Sequence, residues 1–236
     1  SIAAIRFVDA RTGWAAGEAP AGRGVDVRGL VLATTDGGAT WSEAKDAAGK
    51  HAPFSIVDLY AVSATDLWAV GGDLEGREED VLLHSTDGAK TWERVKTGTA
   101  QYLRAVHFVD ANRGWVVGMT GQDFDALGPS KVLATTDGGR TWTVQATAPR
   151  SFFDVHFANA QRGWAVGDRA SVWATTDGGA TWRQQTRFQT TGSKTLEAPR
   201  VDTSNPEQRA LRSVHAFDAG NVWAGGEGVV LKRVKR

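Results

Sequence analysis

The chain contains no cysteine, so neither a disulfide frame nor a thiolate metal site is available to it. It has no net charge, 27 basic residues being balanced by 27 acidic ones. That balance argues against broad electrostatic capture of nucleic acid or of an anionic membrane surface. No apolar run is long enough to cross a bilayer, and helical periodicity of useful length is missing. Nucleophile-elbow, phosphate-loop and zinc-helix patterns are all absent. Tyrosine is scarce, with only Tyr60 and Tyr102. The chain starts at Ser1 without an initiator Met or a signal-peptide pattern, and reads as mature or trimmed, with any targeting segment out of view. Its 236 residues suit one all-β domain with a sizeable core.

What the chain does have is repetition. Thr34–Trp41 reads T-T-D-G-G-A-T-W, Ser85–Trp92 reads S-T-D-G-A-K-T-W, Thr135–Trp142 reads T-T-D-G-G-R-T-W and Thr175–Trp182 reads T-T-D-G-G-A-T-W. The Asp side chain of each copy is placed to accept backbone N–H groups just ahead of it. The glycines that follow supply the positive φ of a tight hairpin, and Thr and Trp begin the returning strand. Asp36, Asp87, Asp137 and Asp177, with Trp41, Trp92, Trp142 and Trp182, are therefore read as structural hairpin residues rather than metal ligands or catalysts.

A second landmark, W-x-x-G, recurs five times, at Trp14, Trp68, Trp115, Trp164 and Trp223. Upstream of each lies an alternating run: 2–8, 56–62, 103–109, 152–157 and 211–217. Period-two alternation bounded by turn residues signals a strand. Four strands recurring about every 40–60 residues are propeller blades. The predicted fold is all-β, a single β-propeller domain over 1–236. Its five blades of four antiparallel strands cover approximately 1–45, 54–97, 102–147, 151–188 and 210–236. The tryptophans are expected to pack between blades.

The fifth unit is incomplete, since its third strand, 229–234, has no Asp-containing turn and no fourth strand after it. A missing flanking segment, a three-stranded last blade and strand donation by a partner each account for this.

Loop lengths separate two faces. First-to-second turns and Asp-containing turns hardly vary, whereas second-to-third loops (18–29, 72–80, 119–131) and the connection 188–209 do. In up-and-down blades these variable segments emerge on one face, and function concentrates on variable loops held by a rigid frame. The candidate protein-binding residues are Arg23, Asp26, Arg28, Glu75, Arg77, Asp123, Phe124, Asp125, Phe188, Lys194 and Arg200. Their mixed charge and few aromatics suit a polar protein interface.

Two constellations have a chemical reading beside a structural one. Arg6, Tyr60, His107, His156 and His215 each stand eight residues before a landmark Trp. Three imidazoles at equal phase would ligate a metal if they converged on a channel, but strands related by rotation make such side chains diverge, and structural or channel-lining roles are preferred. The acidic cluster Asp73, Glu75, Glu78, Glu79 and Asp80, and the pair Asp123 and Asp125, do not define a hydrolytic carboxylate pair or a calcium cage. No catalytic residue, metal or cofactor is expected.

The four Asp-containing turns resemble the Asp-box, or bacterial neuraminidase repeat, a structural clip of β-propellers. Sialidases are similar only in these turns. Their Arg-Ile-Pro stretch is not matched, because Arg6 is followed by Phe7-Val8, and both tyrosines fall in predicted inner strands. The fuller pattern F-x-D/N-x-x-x-G-W-A-V-G, a strand, then T-T-D-G-G-x-T-W is similar to the photosystem II assembly and stability factor family. Phe157 through Trp182 is its best copy, and four of the five units resemble it. Members of that family have seven blades, while this chain shows five and lacks the fifth Asp-box. The resemblance implies a non-catalytic scaffold, an assembly factor or accessory subunit peripheral to the membrane in periplasm or thylakoid lumen. Its expected partner is a membrane-embedded protein complex, a photosynthetic one by resemblance, with no nucleic acid and no transmembrane segment of its own. The alternative reading is a secreted Asp-box glycan-binding protein or glycoside hydrolase.

Overall fold

The computed structural model describes residues 1–20, 27–45, 49, 55–72, 81–99, 101–119, 129–185, 189–190, 210–218, 221–226 and 229–232. The chain forms two compact units, Ser1–Ala111 and Asn112–Arg236. The first contains β1 (Ile2–Phe7), β2 (Gly13–Pro20), β3 (Val27–Thr34), β4 (Ser42–Glu43), β5 (Ser55–Ala61), β6 (Leu67–Gly72), β7 (Val81–Ser85), β8 (Glu93–Val95) and β9 (Tyr102–Phe108). The second contains β10 (Gly114–Met119), β11 (Ser130–Thr135), β12 (Thr143–Ala148), β13 (Phe152–Phe157), β14 (Gly163–Gly167), β15 (Val172–Thr175), β16 (Arg183–Gln184), β17 (Gln189–Thr190), β18 (Leu211–Asp218), β19 (Asn221–Gly226) and β20 (Val229–Lys232).

In the first unit β1-β2-β3-β4 and β5-β6-β7-β8 are antiparallel sheets in chain order. In the second, β13-β14-β15-β16 follows the same order, and β10, β11 and β12 pair consecutively. The landmark strands β6, β10 and β14 are buried almost end to end, as their nearly continuous apolar runs require. The outer strands β4, β8 and β16 are short and largely polar, which blunts the sheet edges.

The glycine of W-x-x-G is required by backbone proximity. A Cβ built on Gly71 would lie 1.8 Å from the carbonyl oxygen of Ser55, and one on Gly167 would lie 1.9 Å from that of Ser151. The residue before the landmark Trp is set by a different contact. At Gly163 a Cβ would come within 2.4 Å of the Phe157 ring, which lies across it. In the second sheet the pair is inverted in size: Leu67 stands opposite Ala61 where Gly163 stands opposite Phe157.

Neighbouring sheets pack through these positions. One core joins Trp14, Ala16 and Val31 to Ile56, Leu59, Leu67, Ala69 and Leu83; another joins Trp164, Val166 and Val172 to Leu211, Val214, Ala216, Val222 and Ala224. Trp68 stacks on His84 at 4.0 Å and on Phe108 at 5.0 Å. Trp115 stacks on Phe157 at 3.5 Å, and Phe157 in turn meets Trp182 edge-on at 5.7 Å. Trp14, Trp68, Trp115 and Trp164 are buried, each contributing on the order of 2–3 kcal/mol. The Asp-box tryptophans are only partly buried, and Trp41 is exposed.

Two features differ from the sequence reading. The last sheet runs β17-β20-β19-β18: its outer position is taken by Gln189–Thr190, opposite Lys232 and Leu231. A segment of the long connection ahead of β18 thus supplies, within the chain, the strand that no Asp-box return provides. A partner strand is not needed along those two residues. The first second-to-third loop is also tighter than expected, since β2 and β3 pair out to Pro20 and Val27. Among the described residues no helix is long and apolar enough to cross a membrane.

Candidate functional site

The four Asp-boxes share one set of bonds. Thr34, Ser85, Thr135 and Thr175 donate their hydroxyls to Oδ1 of Asp36, Asp87, Asp137 and Asp177 at 2.8–2.9 Å. The same hydroxyls accept the amides of Gly38, Ala89, Gly139 and Gly179 at 2.8–2.9 Å. Each Asp then accepts the backbone N–H of Thr40, Thr91, Thr141 or Thr181 at 2.9 Å and that threonine's hydroxyl at 2.6 Å. Bonds to the Thr40, Thr141 and Thr181 hydroxyls and amides hold Asp36, Asp137 and Asp177 down at about 2. At Asp87 burial pushes upward, but the Thr91 and Ser85 bonds prevail and the carboxyl is lowered as well.

Each turn is also tied to the first-to-second turn of its own sheet. The amides of Gly37, Gly88, Gly138 and Gly178 donate to the carbonyls of Arg11, Thr65, Asn112 and Gln161 at 2.9–3.1 Å. Both classes of short turn therefore lie at one end of each sheet, joined by backbone bonds. Carboxylates engaged in this way are structural acceptors, with no proton to donate at neutral pH.

Of the candidate interface residues, Arg28 belongs to β3, opposite Ala19, and not to a loop. Its guanidinium is bonded to the Glu43 carboxylate of β4 and to the Gly29 carbonyl, reaching along β3 from a position four residues before Leu32, the residue that stands opposite Glu43. Its placement in a binding loop is corrected accordingly. Arg23, Asp26, Glu75, Arg77, Asp123, Phe124, Asp125, Phe188, Lys194 and Arg200 lie outside the described residues. So do Asp73, Glu78, Glu79 and Asp80.

The positions eight residues before the landmark tryptophans hold a consistent register. Arg6, Tyr60, His156 and His215 stand directly opposite Trp14, Trp68, Trp164 and Trp223. Tyr60 meets His107 with ring centroids 4.8 Å apart, and His156 meets His215 at 4.6 Å. The ring nitrogen Nε2 of His156 lies 3.0 Å from the carbonyl oxygen of Ala216. Among the described residues no group of three or more His, Asp or Glu side chains is arranged to hold a metal ion.

Sequence reading passed over Asp58 and Asp154. Each sits on an inner strand two residues before one of these positions. Asp58 Oδ1 accepts from Arg6 Nη2 at 3.1 Å, and Oδ2 accepts the Val106 amide at 3.0 Å. Asp154 accepts its neighbour Val155's amide and, at 2.7 Å, the Val214 amide. Burial raises the Asp58 carboxyl, against the opposing pull of Arg6 and the Val106 and Leu59 amides. The available signal was a carboxylate interrupting apolar alternation at the same phase in V-D-L-Y and F-D-V-H.

Comparisons with known proteins agree with this architecture. The family model described as Photosynthesis system II assembly factor YCF48 matches residues 2–101 and 143–225. Photosystem II stability/assembly factor HCF136, chloroplastic, of Arabidopsis thaliana is 33% identical over 97 residues, 40% of this chain and 23% of its own length. The solved YCF48 from Cyanidioschyzon merolae superposes with a TM-score of 0.57 at 18% identity, over 94% of this chain and 66% of that one. An ancestral GH74 enzyme superposes with a TM-score of 0.64 at 14% identity, over 94% of this chain and 27% of its own. At such identities the structural likenesses speak for the fold alone: all-β, four-stranded antiparallel sheets in series, as in the YCF48 propeller. The chain spans about a quarter of the length of the Arabidopsis relative. Its repeats, from the Asp-box turns to the W-x-x-G strands, and the match over most of its length make it a member of the YCF48 family of photosystem II assembly factors.

Proposed function

We propose that the protein is a rigid, non-catalytic scaffold that assists assembly or stability of a photosynthetic membrane complex, docking on its extracytoplasmic face in periplasm or thylakoid lumen. The observation that carries this reading is the family match across residues 2–101 and 143–225. The geometry supports it in two ways. Identical bonded turns and apolar inter-sheet cores make a frame that need not move when a partner binds. The Asp-box carboxylates, the acidic groups that recur in every complete repeat, are occupied by the hairpin bonds described above and have no catalytic role.

The docking residues in this reading are Arg23, Asp26, Glu75, Arg77, Asp123, Phe124, Asp125, Phe188, Lys194 and Arg200, on the segments whose length varies between repeats. Co-purification from native membranes tests it. One stable membrane complex is expected to accompany the protein, and Arg77→Glu is expected to release it without shifting the melting temperature. Robust turnover of polysaccharides or aryl glycosides, lost on removing one loop carboxylate, would overturn the scaffold in favour of a hydrolase.

A further inference from the structure

The side chains that stand eight residues before the landmark tryptophans are expected to diverge, because their strands are related by rotation. Two of them in the second unit do not. His156 of β13 and His215 of β18 meet with ring centroids 4.6 Å apart and ring planes inclined at 51°. Each stands opposite the landmark tryptophan of its own sheet, Trp164 or Trp223, so the pair bridges the fourth sheet and the last. The bonding of His156 decides which nitrogen it offers. A carbonyl oxygen only accepts, so the 3.0 Å contact of His156 Nε2 with the Ala216 carbonyl requires the proton on Nε2. In the neutral ring the lone pair then sits on Nδ1. A ring N–H anchored on a backbone carbonyl fixes the tautomer and orientation of metal-ligating imidazoles in the same way. His215 is exposed, and Phe217 meets its ring edge-on at 4.6 Å. Phe217 is 75% exposed and stands where the other repeats have Val8, Val62, Val109 and Ala158, six residues before the landmark Trp. It forms an aromatic wall beside the imidazole.

We infer that His156 and His215 form a two-imidazole site for a divalent transition-metal ion, of the zinc or copper class, that ties the last sheet to the fourth. Two nitrogens bound to one ion at about 2.0–2.1 Å lie roughly 3.3 Å apart at a tetrahedral angle, a spacing within reach of two rings at this separation. Imidazole ligands select zinc, copper and nickel over magnesium and calcium, which take oxygen cages. Among the described residues no carboxylate joins the pair. Asp154, two residues before His156, accepts the Val155 and Val214 amides instead. Water therefore fills the remaining coordination positions, and the ion is exchangeable. The matching pair in the first unit is Tyr60 and His107, at 4.8 Å. Burial pushes the Tyr60 phenol up, so it keeps its proton at neutral pH and is no comparable ligand.

Calorimetric titration of the untagged chain with zinc chloride tests the site. About one zinc ion per chain is expected, with the melting temperature rising as zinc is added, while magnesium and calcium produce neither effect. His156→Gln and His215→Gln should each weaken zinc binding at least about tenfold, whereas His84→Gln should leave it unchanged. Melts in EDTA show whether each variant is folded. Should His156→Gln not fold, the wild type decides: substoichiometric copper(II) is expected to broaden the His156 and His215 ring resonances together, ahead of those of the other histidines. Zinc binding weaker than about 1 mM, affinity unchanged by either substitution, or broadening of one ring without the other would overturn the inference.

Discussion

The Asp58 carboxylate spans three successive inner strands of the first unit: Oδ1 takes the Arg6 guanidinium of β1, and Oδ2 takes the Val106 amide of β9, at 3.1 and 3.0 Å. Asp154 makes the corresponding bond to the Val214 amide in the second unit. These carboxylates set inner strands in register through the backbone, which apolar packing alone, being non-directional, does not do.

Asp58→Ala is expected to destabilise the protein by about 2–3 kcal/mol, chiefly because it leaves the buried Val106 amide without its acceptor. Asp58→Asn should cost less. Burial holds the Asp58 carboxyl above its ordinary value, so its contribution to stability is full below the unfolded value of about 3.9 and is lost as pH rises through the folded one. The stability advantage of the wild type over Asp58→Asn should therefore shrink as pH rises above the unfolded value, as read from urea midpoints.

The Asp-boxes have the opposite sign. Asp36, Asp137 and Asp177 sit at about 2 when folded, below the unfolded value of about 3.9. Their contribution is present above the unfolded value and lost as pH falls through the folded one. A triple Asp36→Asn, Asp137→Asn, Asp177→Asn variant should show a flatter pH dependence of the urea midpoint on the acid side than the wild type.

The Phe157–Gly163 pair and the Ala61–Leu67 pair are alternative fillings of one site. Phe157→Ala alone should cost about 3–5 kcal/mol by opening a cavity beneath Trp115. Gly163→Leu alone forces a side chain into the Phe157 ring and should cost about 1–3 kcal/mol. Combining the two should recover a large part of both losses, and a double-mutant cycle in urea measures the coupling.

A second compensating pair joins one sheet to the next Asp-box. Gln145 accepts from Trp115 Nε1 at 3.1 Å and donates to the Gly178 carbonyl at 3.0 Å, and a Cβ on Gly179 would lie 1.7 Å from its Oε1. Ala89 occupies the same turn position at φ 72°, with Ala44 packed against that core in the place corresponding to Gln145. Gly179→Ala should cost about 2–3 kcal/mol, part from positive φ and part from the collision. Adding Gln145→Ala should remove the collision but not the φ penalty, as thermal melts of the single and double variants would show.

The repeats were legible because each signal is local. An Asp followed by two glycines, and alternation ending in W-x-x-G, act over eight or fewer residues, and the observed strands fall on those runs. Arg28 was misplaced for the complementary reason. Nothing within 18–29 says how far a hairpin continues to pair, which depends on the partner strand and on Glu43 across β4. The Asp58 and Asp154 bonds were missed because their acceptor–donor pairs are 48 and 60 residues apart.

By itself the sequence determined the repeat unit, the turn chemistry and the family, since hydrogen bonds within a tight turn and period-two burial depend on near neighbours in the chain. Only the tertiary structure decided which strand fills the outer edge of the last sheet and which inner-strand carboxylates bind which amides. Those outcomes depend on the spatial approach of distant strands, where one short segment, Gln189–Thr190, takes the edge because its backbone groups find unpaired partners there.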